Sequence, residues 1–440
     1  MRKSAEIFQE ASKLMVGGGC AGGRIHAALG TPFYIDHADG SHVFHVDGEE
    51  FIDYHCGAGA LLFGWNHPRI REAIIKCVDK GFFMNFDSPA TLEFARLFKE
   101  LVPTVEKIRL TNSGTEATLA AIRAARAYTK KNLIIKMDGH FHGMHEMIWF
   151  NGGCGSDLDK YGQTRSVTPA TPGFPAGAEK NVKLIEFNNL DAVKHVFETY
   201  RGDIAAIIME PVNYDCGCVP STREYMKQVR ELCTKEGILL IFDEVISGLR
   251  FRPGSAQGYY GIKPDLSTFA KAIANGFSLA LVGGKAEIME LFNPTGPVIC
   301  SGTSSGNLMS VMAAIECLKM AMEPGFYDQV EKIEKNLCGE LNALFGKHGI
   351  PGHIRSQGAQ FAFYFGYDDP QMDYILSETV KHYHPQLYRR FTRECLAEHL
   401  YVFDGGEKPF PQHNGFTIAH TEDDIALTIS KVDGIFKRLK

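Results

Sequence analysis

The sequence lacks the long apolar runs that membrane proteins and secreted precursors carry. None of its stretches approaches the roughly 20 consecutive apolar positions that a membrane-spanning helix requires. Its first residues, from Met1 to Glu6, include charges but are not followed by the apolar segment of a signal peptide. We therefore expect a cytoplasmic protein with no membrane partner.

The sequence also lacks an excess of positive charge. Its 46 lysine and arginine residues are outnumbered by 52 aspartate and glutamate residues, and the formal net charge is -6. DNA, RNA and anionic lipid surfaces are polyanions and repel an acidic protein. Nucleic acid is therefore not expected among its partners, and the 45% of hydrophobic and 22% of charged residues are typical of a globular protein.

Closely spaced cysteines are scarce as well. Eleven cysteines are present, an odd number, and Cys216 and Cys218 are the one pair close together in the sequence. A single intervening residue and the lack of a second pair match neither a zinc site nor a disulfide framework. We expect structural thiols, with a metal or redox pair at these two residues as the alternative, and we predict no metal site.

The chain is long enough for one large and one smaller domain. Residues 4–15 have the apolar spacing of one helical face, and Asp-Gly pairs at residues 39–40 and 47–48 indicate β-hairpin turns. From residue 67 the pattern changes to helices and then to alternating strands and helices. We predict a large domain over residues 67–322 and a smaller α+β domain formed by residues 1–66 and 323–440.

The alternation of short apolar runs with helical segments predicts an α/β fold with a mostly parallel sheet. Strands covered by helices on both faces are almost continuously apolar, and ligands bind beyond their carboxyl ends. The predicted strands are 107–110, 133–137, 183–185, 205–209, 238–242 and 280–282, and the predicted helices include 116–128, 190–199, 223–236 and 307–322.

Two charged residues in apolar surroundings are the strongest chemical signals. Asp243 ends the apolar run 238–242, where a buried carboxylate is costly unless a cation pairs with it. Lys271 lies among small uncharged residues, and burial lowers the pKa of a lysine toward the nucleophilic amine. The alternatives are a helix cap for Asp243 and an exposed lysine for Lys271. An acid and an amine of this kind fit the two ends of one cofactor.

Two loops supply further candidates. Residues 112–117, Asn-Ser-Gly-Thr-Glu-Ala, follow a predicted strand and open a helix, which suits either a bound phosphate or a plain helix cap. Phe141 lies between glycines, where it can stack on a flat ring or be an ordinary loop aromatic. The nearby histidines His140, His142 and His145 match no metal-ligand spacing.

Taken in order, these motifs resemble the class III aminotransferases, which are pyridoxal-phosphate enzymes of fold type I. The resemblance extends over nearly the whole chain, from about Arg24 to the final helix. Within the class, the chain is most similar to the glutamate-1-semialdehyde aminomutase branch. The matching phrases are residues 112–117, 141–143, 210–212, 243–245, 264–271 and 301–307.

The resemblance implies pyridoxal 5'-phosphate as cofactor and a role for each matching residue. Lys271 would form a Schiff base with the cofactor and later move protons at the substrate carbon, while Asp243 would keep the pyridine nitrogen protonated. Phe141 and Val245 would flank the ring. The other cofactor-binding residues that the motifs imply are Ser113, Gly114, Thr115, His142, Glu210 and Thr303.

The resemblance also implies a partner and a substrate class. In the family, the residue at the position of Thr303 reaches the phosphate of the neighbouring subunit, so a homodimer follows. Arg24 would bind the substrate carboxylate through a bidentate interaction of its guanidinium group. The alternative is a solvated arginine in a loop. The glycine-rich segment from Gly152 to Gly177 would line the entrance.

Two departures from the aminomutase pattern bear on the reaction. Asn213, Tyr214 and Asp215 stand where that branch has an asparagine for the phenolic oxygen of the ring, and His413 and Asn414 stand where it has a glutamate. We therefore predict an aminotransferase that moves an amino group between a carboxylate-bearing amino acid and a keto acid. The alternatives are an aminomutase, an amino-acid racemase and a cofactor-binding protein without catalysis. A nicotinamide dehydrogenase lacks its Gly-x-Gly-x-x-Gly helix start here.

Overall fold

The computed structural model describes residues 2–151, 164 and 166–440. The expected entrance segment lies in part outside these residues, at 152–163 and 165. The helices are α1 (Lys3–Leu14), α2 (Cys56–Gly59), α3 (Pro68–Asp79), α4 (Pro89–Leu101), α5 (Gly114–Thr129), α6 (Leu190–Thr199), α7 (Arg223–Glu236), α8 (Ala256–Tyr260), α9 (Ala286–Met289), α10 (Leu308–Ala321), α11 (Phe326–His348), α12 (Leu376–His382), α13 (Pro385–Ala397) and α14 (Glu422–Leu439). The strands are β1 (Ile25–His26), β2 (Thr31–Pro32), β3 (Ile35–Asp39), β4 (His42–His45), β5 (Glu50–Asp53), β6 (Lys107–Thr111), β7 (Leu133–Met137), β8 (Val182–Ile185), β9 (Ile204–Met209), β10 (Val212–Asn213), β11 (Val219–Pro220), β12 (Leu239–Glu244), β13 (Leu266–Phe269), β14 (Ala280–Gly284), β15 (Gly352–Gln357), β16 (Gln360–Phe365), β17 (Leu400–Tyr401) and β18 (His413–Gly415).

The largest sheet has seven strands in the order β6, β14, β13, β12, β9, β7 and β8. Strands β8, β7, β9, β12 and β13 are parallel, whereas β14 runs antiparallel to both of its neighbours. Every residue of β9 and β12 is buried, and this is why the sequence shows them as unbroken apolar runs. The predicted α/β class with a mostly parallel sheet is confirmed.

The sequence does not predict strand β13, which precedes Lys271. Ser267 and Thr268 interrupt its apolar pattern, yet all four of its residues are buried between β12 and β14. The hydroxyl of Thr268 is satisfied because its Oγ1 donates to Asp243 Oδ1 at 3.0 Å. The parallel register pairs Asp243 of β12 with Thr268 of β13.

Helix α5 packs against this sheet through small side chains. It begins after Ser113, whose Oγ accepts a hydrogen bond from the backbone N–H of Glu116 at 3.2 Å. Alanines on its buried face let the helix approach the strands closely. The core they share with the sheet contains Ala120, Ala121, Ala124, Ala125, Ile134, Ile208 and Ile241.

The chain forms two compact units. The larger consists of Pro68–Tyr327 and Gln371–Val380, and the smaller consists of Met1–His67, Asp328–Pro370 and Lys381–Lys440. The predicted smaller domain includes residues 371–380, whereas in the structure these residues belong to the larger unit. There, the hydroxyl of Ser377 donates to Glu186 Oε1 at 2.7 Å.

The smaller unit contains sheets of its own, in which most strand pairs are antiparallel. Strands β3, β4 and β5 form a meander through the two Asp-Gly turns, and β17 pairs with β5 in parallel. Strands β15, β16 and β18 form a second sheet. Helix α14 begins at a capping box, in which Thr421 and Asp424 exchange backbone-to-side-chain hydrogen bonds. Of the helices in the described residues, none has the length and apolar character to cross a membrane.

Candidate active site

Asp243 lies at the carboxyl end of β12 as a buried carboxylate with three hydrogen-bond partners. Its Oδ2 atom is 2.8 Å from Nδ1 of His142, and its Oδ1 atom accepts from the hydroxyl of Thr268 and from the backbone N–H of Val245, each at 3.0 Å. These contacts come from three different segments of the chain. They fix the carboxylate in position and compensate part of the cost of burying it.

His142 donates to Asp243 through Nδ1, because an ionised carboxylate can only accept. Burial lowers the pKa of His142, and the Asp243 carboxylate opposes that shift in part. The ring is therefore held neutral with its proton on Nδ1. Its Nε2 atom is buried without a hydrogen-bond partner among the described residues.

Lys271 follows β13 and lies at the same edge of the sheet as Asp243. Burial lowers the pKa of Lys271; the carboxylate of Asp215 opposes this shift most strongly, and Arg250 adds to it. Its backbone has φ of 53°, in the left-handed region that costs a residue with a side chain about 1–2 kcal/mol. A partly buried amine of lowered pKa is suited to act as a nucleophile.

The start of α5 reaches the same place as the end of β12. A methyl group built on Gly114 would lie 2.9 Å from a side-chain carbon of Val245, so glycine allows the contact between the two. A methyl group on Gly143 would lie 2.8 Å from the Cα atom of Thr115. The backbone N–H groups in the first turn of a helix have no partner within the helix and attract anions.

Phe141 is held by its backbone rather than by its ring. Its N–H donates to Oε1 of Glu210 at 3.0 Å, and the residue as a whole is 44% exposed. The other oxygen of Glu210 accepts from the N–H of Tyr214 at 3.4 Å. Burial and the neighbouring carboxylates of Asp215 and Asp243 raise the pKa of Glu210 well above its usual range. Glu210 thus supports the loop, and Phe141 offers an open aromatic face.

Two further predicted site residues lie on exposed segments of the chain. Arg24 belongs to the smaller unit, where it is exposed on the turn Gly22–Arg24, within electrostatic reach of Tyr401. Thr303 belongs to the larger unit and is exposed on the loop that precedes α10. Both residues stay predictions as site residues.

Several residues around the site are missed by the sequence. Thr268 carries no signal beyond its place three residues before Lys271, and Arg250 looks like an ordinary surface arginine although it is 2% exposed. Lys136 is 1% exposed, and its ammonium group donates to the carbonyl of Phe150 at 2.7 Å. A lysine inside the apolar run of β7 is the same kind of signal that singled out Asp243. Burial lowers the pKa of Lys136 to about 8, against the charges of Asp138 and Glu210.

The three histidines of the loop are engaged in hydrogen bonds within the protein. His140 accepts from the N–H of Glu210 at 3.0 Å, and His145 Nε2 is 3.3 Å from the hydroxyl of Thr118.

Among the described residues, the one set with the spacing of metal ligands is His45, Asp47 and Glu49 in the smaller unit. Asp47 there already accepts two hydrogen bonds from Ser4.

Comparison with known proteins assigns this arrangement to a family. The family model of the class III aminotransferases matches residues 26–429, so the chain belongs to that family. It is similar to an omega-transaminase from Sphaerobacter thermophilus at 27% identity and a TM-score of 0.92, over 99% of this chain and 98% of the other. It is also similar to a β-phenylalanine aminotransferase from Variovorax paradoxus at 25% identity and a TM-score of 0.84, over 99% and 94%.

A glutamate-1-semialdehyde aminomutase from Pseudomonas aeruginosa PAO1 shares the fold at 20% identity and a TM-score of 0.86, over 100% of this chain and 95% of the other. The chain is a pyridoxal-phosphate-dependent aminotransferase of fold type I. The residues described above fit this cofactor. A fixed carboxylate suits the ring nitrogen of the cofactor, and an amine of lowered pKa suits its aldehyde. The start of a helix suits the phosphate, and an open aromatic ring suits the face of the cofactor ring.

Proposed function

We propose that Asp243 and Lys271 hold opposite ends of pyridoxal phosphate and that the enzyme moves an amino group between a carboxylate-bearing amino acid and a keto acid. The observation that carries this proposal is the contact of Asp243 with both His142 and Thr268, at 2.8 and 3.0 Å. Lys271 is three residues after Thr268 in the sequence and comes shortly after the end of β13. An acid and an amine are thereby available at one edge of the sheet.

Each residue has a task that its surroundings support. Bound pyridoxal phosphate supplies an aldehyde that accepts an amine and a ring that withdraws electrons from the reacting carbon. Asp243 holds a proton on the ring nitrogen, since its carboxylate is fixed by three donors. Lys271 takes a proton from the substrate carbon and returns it, because its lowered pKa favours the free amine.

The remaining cofactor contacts follow from the helix start and the two side chains beside the ring. The N–H groups of Gly114 and Thr115 and the hydroxyl of Ser113 bind the phosphate, where the positive end of the helix dipole adds to the attraction. Phe141 covers one face of the ring and Val245 the other, and together they exclude water. His142 acts on the ring through Asp243.

The substrate carries a carboxylate that Arg24 binds. A guanidinium forms two parallel hydrogen bonds with a carboxylate, and Arg24 is exposed and available for them. We choose β-phenylalanine as the first donor to test, because a similar structure belongs to a β-phenylalanine aminotransferase. Titration with candidate amino acids should convert the cofactor to its amine form and release keto acid. Racemisation or rearrangement without keto-acid release would contradict transamination.

The attachment point has its own test. Borohydride reduction followed by mass spectrometry should find the cofactor on the peptide that contains Lys271. The Lys271→Ala variant should lose both the adduct and the activity, whereas Lys263→Ala, at an exposed ion pair with Glu106, should keep both. Full activity of Lys271→Ala would contradict the proposed role of this residue.

The proposed functional unit is a homodimer in which Thr303 contributes to the neighbouring site. Support comes from an apolar region of the larger unit, where Phe86 is 76% exposed and Ile299 is 66% exposed. Beside them lies a cavity of about 530 Å³, lined by residues of the segments 85–95, 108–110 and 300–306. A second copy that covers this region would bury side chains that a single chain leaves in water.

We further propose a cytoplasmic location, which the buried free thiols of Cys77, Cys233 and Cys317 favour. The domain division at residues 66/67 and 322/323 also stays a proposal. Limited proteolysis would test it, since exposed boundaries are the preferred sites of cleavage.

A further inference from the structure

Thr303 is the second residue of a four-residue turn that begins at Gly302. The backbone N–H of Ser305 donates to the carbonyl of Gly302 at 3.0 Å and closes the turn. Thr303 and Ser304, the two central residues, are exposed. The turn therefore presents Thr303 at a defined place on the surface of the chain.

Asn112 contacts both ends of this turn. Its Nδ2 atom donates to the hydroxyl of Ser305 at 3.2 Å. A methyl group built on Gly302 would lie 3.0 Å from the same nitrogen and 2.6 Å from Ser305 Oγ, so a larger residue at Gly302 would push the turn away. The position of Thr303 thus depends on the side chain of Asn112.

The side chain of Asn112 also forms a hydrogen bond at the start of α5. Asn112 directly precedes Ser113, and its Nδ2 atom donates to Oε2 of Glu116 at 3.2 Å, while its backbone N–H donates to that oxygen at 2.8 Å. An amide nitrogen carries two hydrogens, so the bonds to Glu116 and to Ser305 can exist together. Glu116 in turn donates its N–H to Ser113.

The amide oxygen of Asn112 points to a further contact at this place. It is buried and has no hydrogen-bond partner among the residues that the structure describes. Buried acceptors of this kind are rare in folded proteins. Gly302 and Ser305, which Asn112 contacts, line the cavity at the proposed dimer face, where a second copy would bring further donors.

We propose that Asn112 is a positioning residue for two cofactor sites at once. It orients the phosphate-binding helix start of its own chain through Glu116, and it orients the Thr303 turn that completes the neighbour's site through Ser305. The inference rests on the proposed function, in which Thr303 reaches the neighbouring phosphate. It has a distinctive consequence, since loss of the Ser305 hydroxyl should impair the neighbour's site and spare its own.

Mixed dimers of two differently tagged full-length chains separate these effects. One chain carries Lys271→Ala and is silent, so that covalently attached pyridoxal phosphate reports on the other chain alone. The affinity and the release rate of pyridoxal phosphate at the reporting site are measured by its absorption. With Ser305→Ala in the silent chain, affinity should fall about fivefold, the size expected for one neutral hydrogen bond. With Ser305→Ala in the reporting chain, affinity should not change.

Two further variants complete the test. Asn112→Ala should weaken binding from either chain, because it acts on both sites. Ser304→Ala in the silent chain is the matched control and should have no effect, since the Ser304 hydroxyl lies 3.8 Å from the sulfur of Met84 and does not touch Asn112. An equal effect of Ser305→Ala from both chains, or none from the silent chain, would overturn the inference.

Thr303→Ala in the silent chain tests the shared site separately from the role of Asn112. If it leaves the reporting site unchanged, the proposed shared site is wrong and the role of Asn112 in the neighbour's site falls with it. If Thr303→Ala weakens binding and Ser305→Ala does not, the shared site stands and the role of Asn112 is wrong.

Discussion

Asp243 and His142 share a hydrogen bond of 2.8 Å at a place where their side chains are 3% and 0% exposed. Water therefore cannot replace either partner. The carboxylate oxygen is aligned by a neutral imidazole whose own pKa burial has lowered. This contact fixes the orientation of the Asp243 carboxylate at a place that solvent does not reach.

Asp243→Asn should reduce the turnover number by roughly 10-fold to 1000-fold. A neighbouring carboxylate changes the pKa of a basic group by about one to three units, and the protonated fraction of the ring nitrogen falls accordingly. Steady-state kinetics and the absorption spectrum of the bound cofactor are the measurements. The control is Glu244→Gln, because Glu244 accepts from the N–H groups of Ala256 and Gln257 and has no contact with His142. Unchanged turnover in Asp243→Asn would contradict the assigned role.

Thr268→Val should lower the turnover number by roughly fivefold, because it removes one hydrogen bond to Asp243 and preserves the shape of the side chain. The neighbouring variant Ser267→Ala provides the comparison, since its hydroxyl is directed to Gln257 at 3.5 Å. Kinetics at saturating substrate would measure both. A larger effect at Ser267 than at Thr268 would argue against Asp243 as the point of action.

Asp215→Asn should shift the attachment of pyridoxal phosphate to lower pH. Burial lowers the pKa of Lys271, and the carboxylate of Asp215 is the strongest influence in the opposite direction. Removing that carboxylate lowers the pKa further, so the reactive free amine is present at lower pH. The rate of attachment to the cofactor-free enzyme, measured across pH, should have its midpoint shifted accordingly.

The exposed residue Asp191 on α6 supplies the control for that experiment. Asp191→Asn should leave the midpoint in place, since the Asp191 carboxylate is exposed to solvent and pairs with Lys194. A shift of the Asp215→Asn profile toward higher pH would contradict the prediction.

Lys136→Met should change how stability depends on pH. The pKa of Lys136 is about 8 in the folded chain against an ordinary value of 10.5. Between these values the unfolded chain holds a proton that the folded chain does not, so the free energy of unfolding rises with pH, by up to about 3 kcal/mol. The methionine variant lacks this contribution. Relative to the unmodified protein, it should therefore lose stability as the pH rises through this window.

Urea unfolding at several pH values on both sides of this window would measure the difference. Lys227→Met, on the exposed side of α7, serves as the surface control. A difference between unmodified protein and Lys136→Met that stays constant with pH would contradict the prediction.

Local signals in the sequence predict the fold well where burial is uniform. The apolar runs of β9 and β12 identify these strands, and Asp243 stands out because a charge follows such a run. The sequence does not predict strand β13, because Ser267 and Thr268 are typical of loops. Only the structure shows that Asp243 lies beside Thr268 and accepts its hydrogen bond. The fold class follows from alternation alone and does not need that strand.

The site is less predictable because its contacts join distant parts of the chain. His142 and Asp243 are 101 residues apart, and Asn112 and Ser305 are 193 apart. No local pattern couples such pairs. The resemblance to a family identifies candidate site residues such as Asp243 and Lys271. Only the structure shows which groups act on them, such as Thr268 on Asp243 and Asp215 on Lys271.

The antiparallel direction of β14 has a consequence for how this protein can vary. Residues 270–279 connect β13 to β14, and Phe269 pairs with Leu281, so the chain leaves and re-enters the sheet at the same edge. A parallel neighbour would have required a crossover of a dozen residues or more. Lys271 is therefore anchored by strands on both sides of a short connection. Insertions that lengthen other connections of the chain can therefore accumulate while this amine keeps its place.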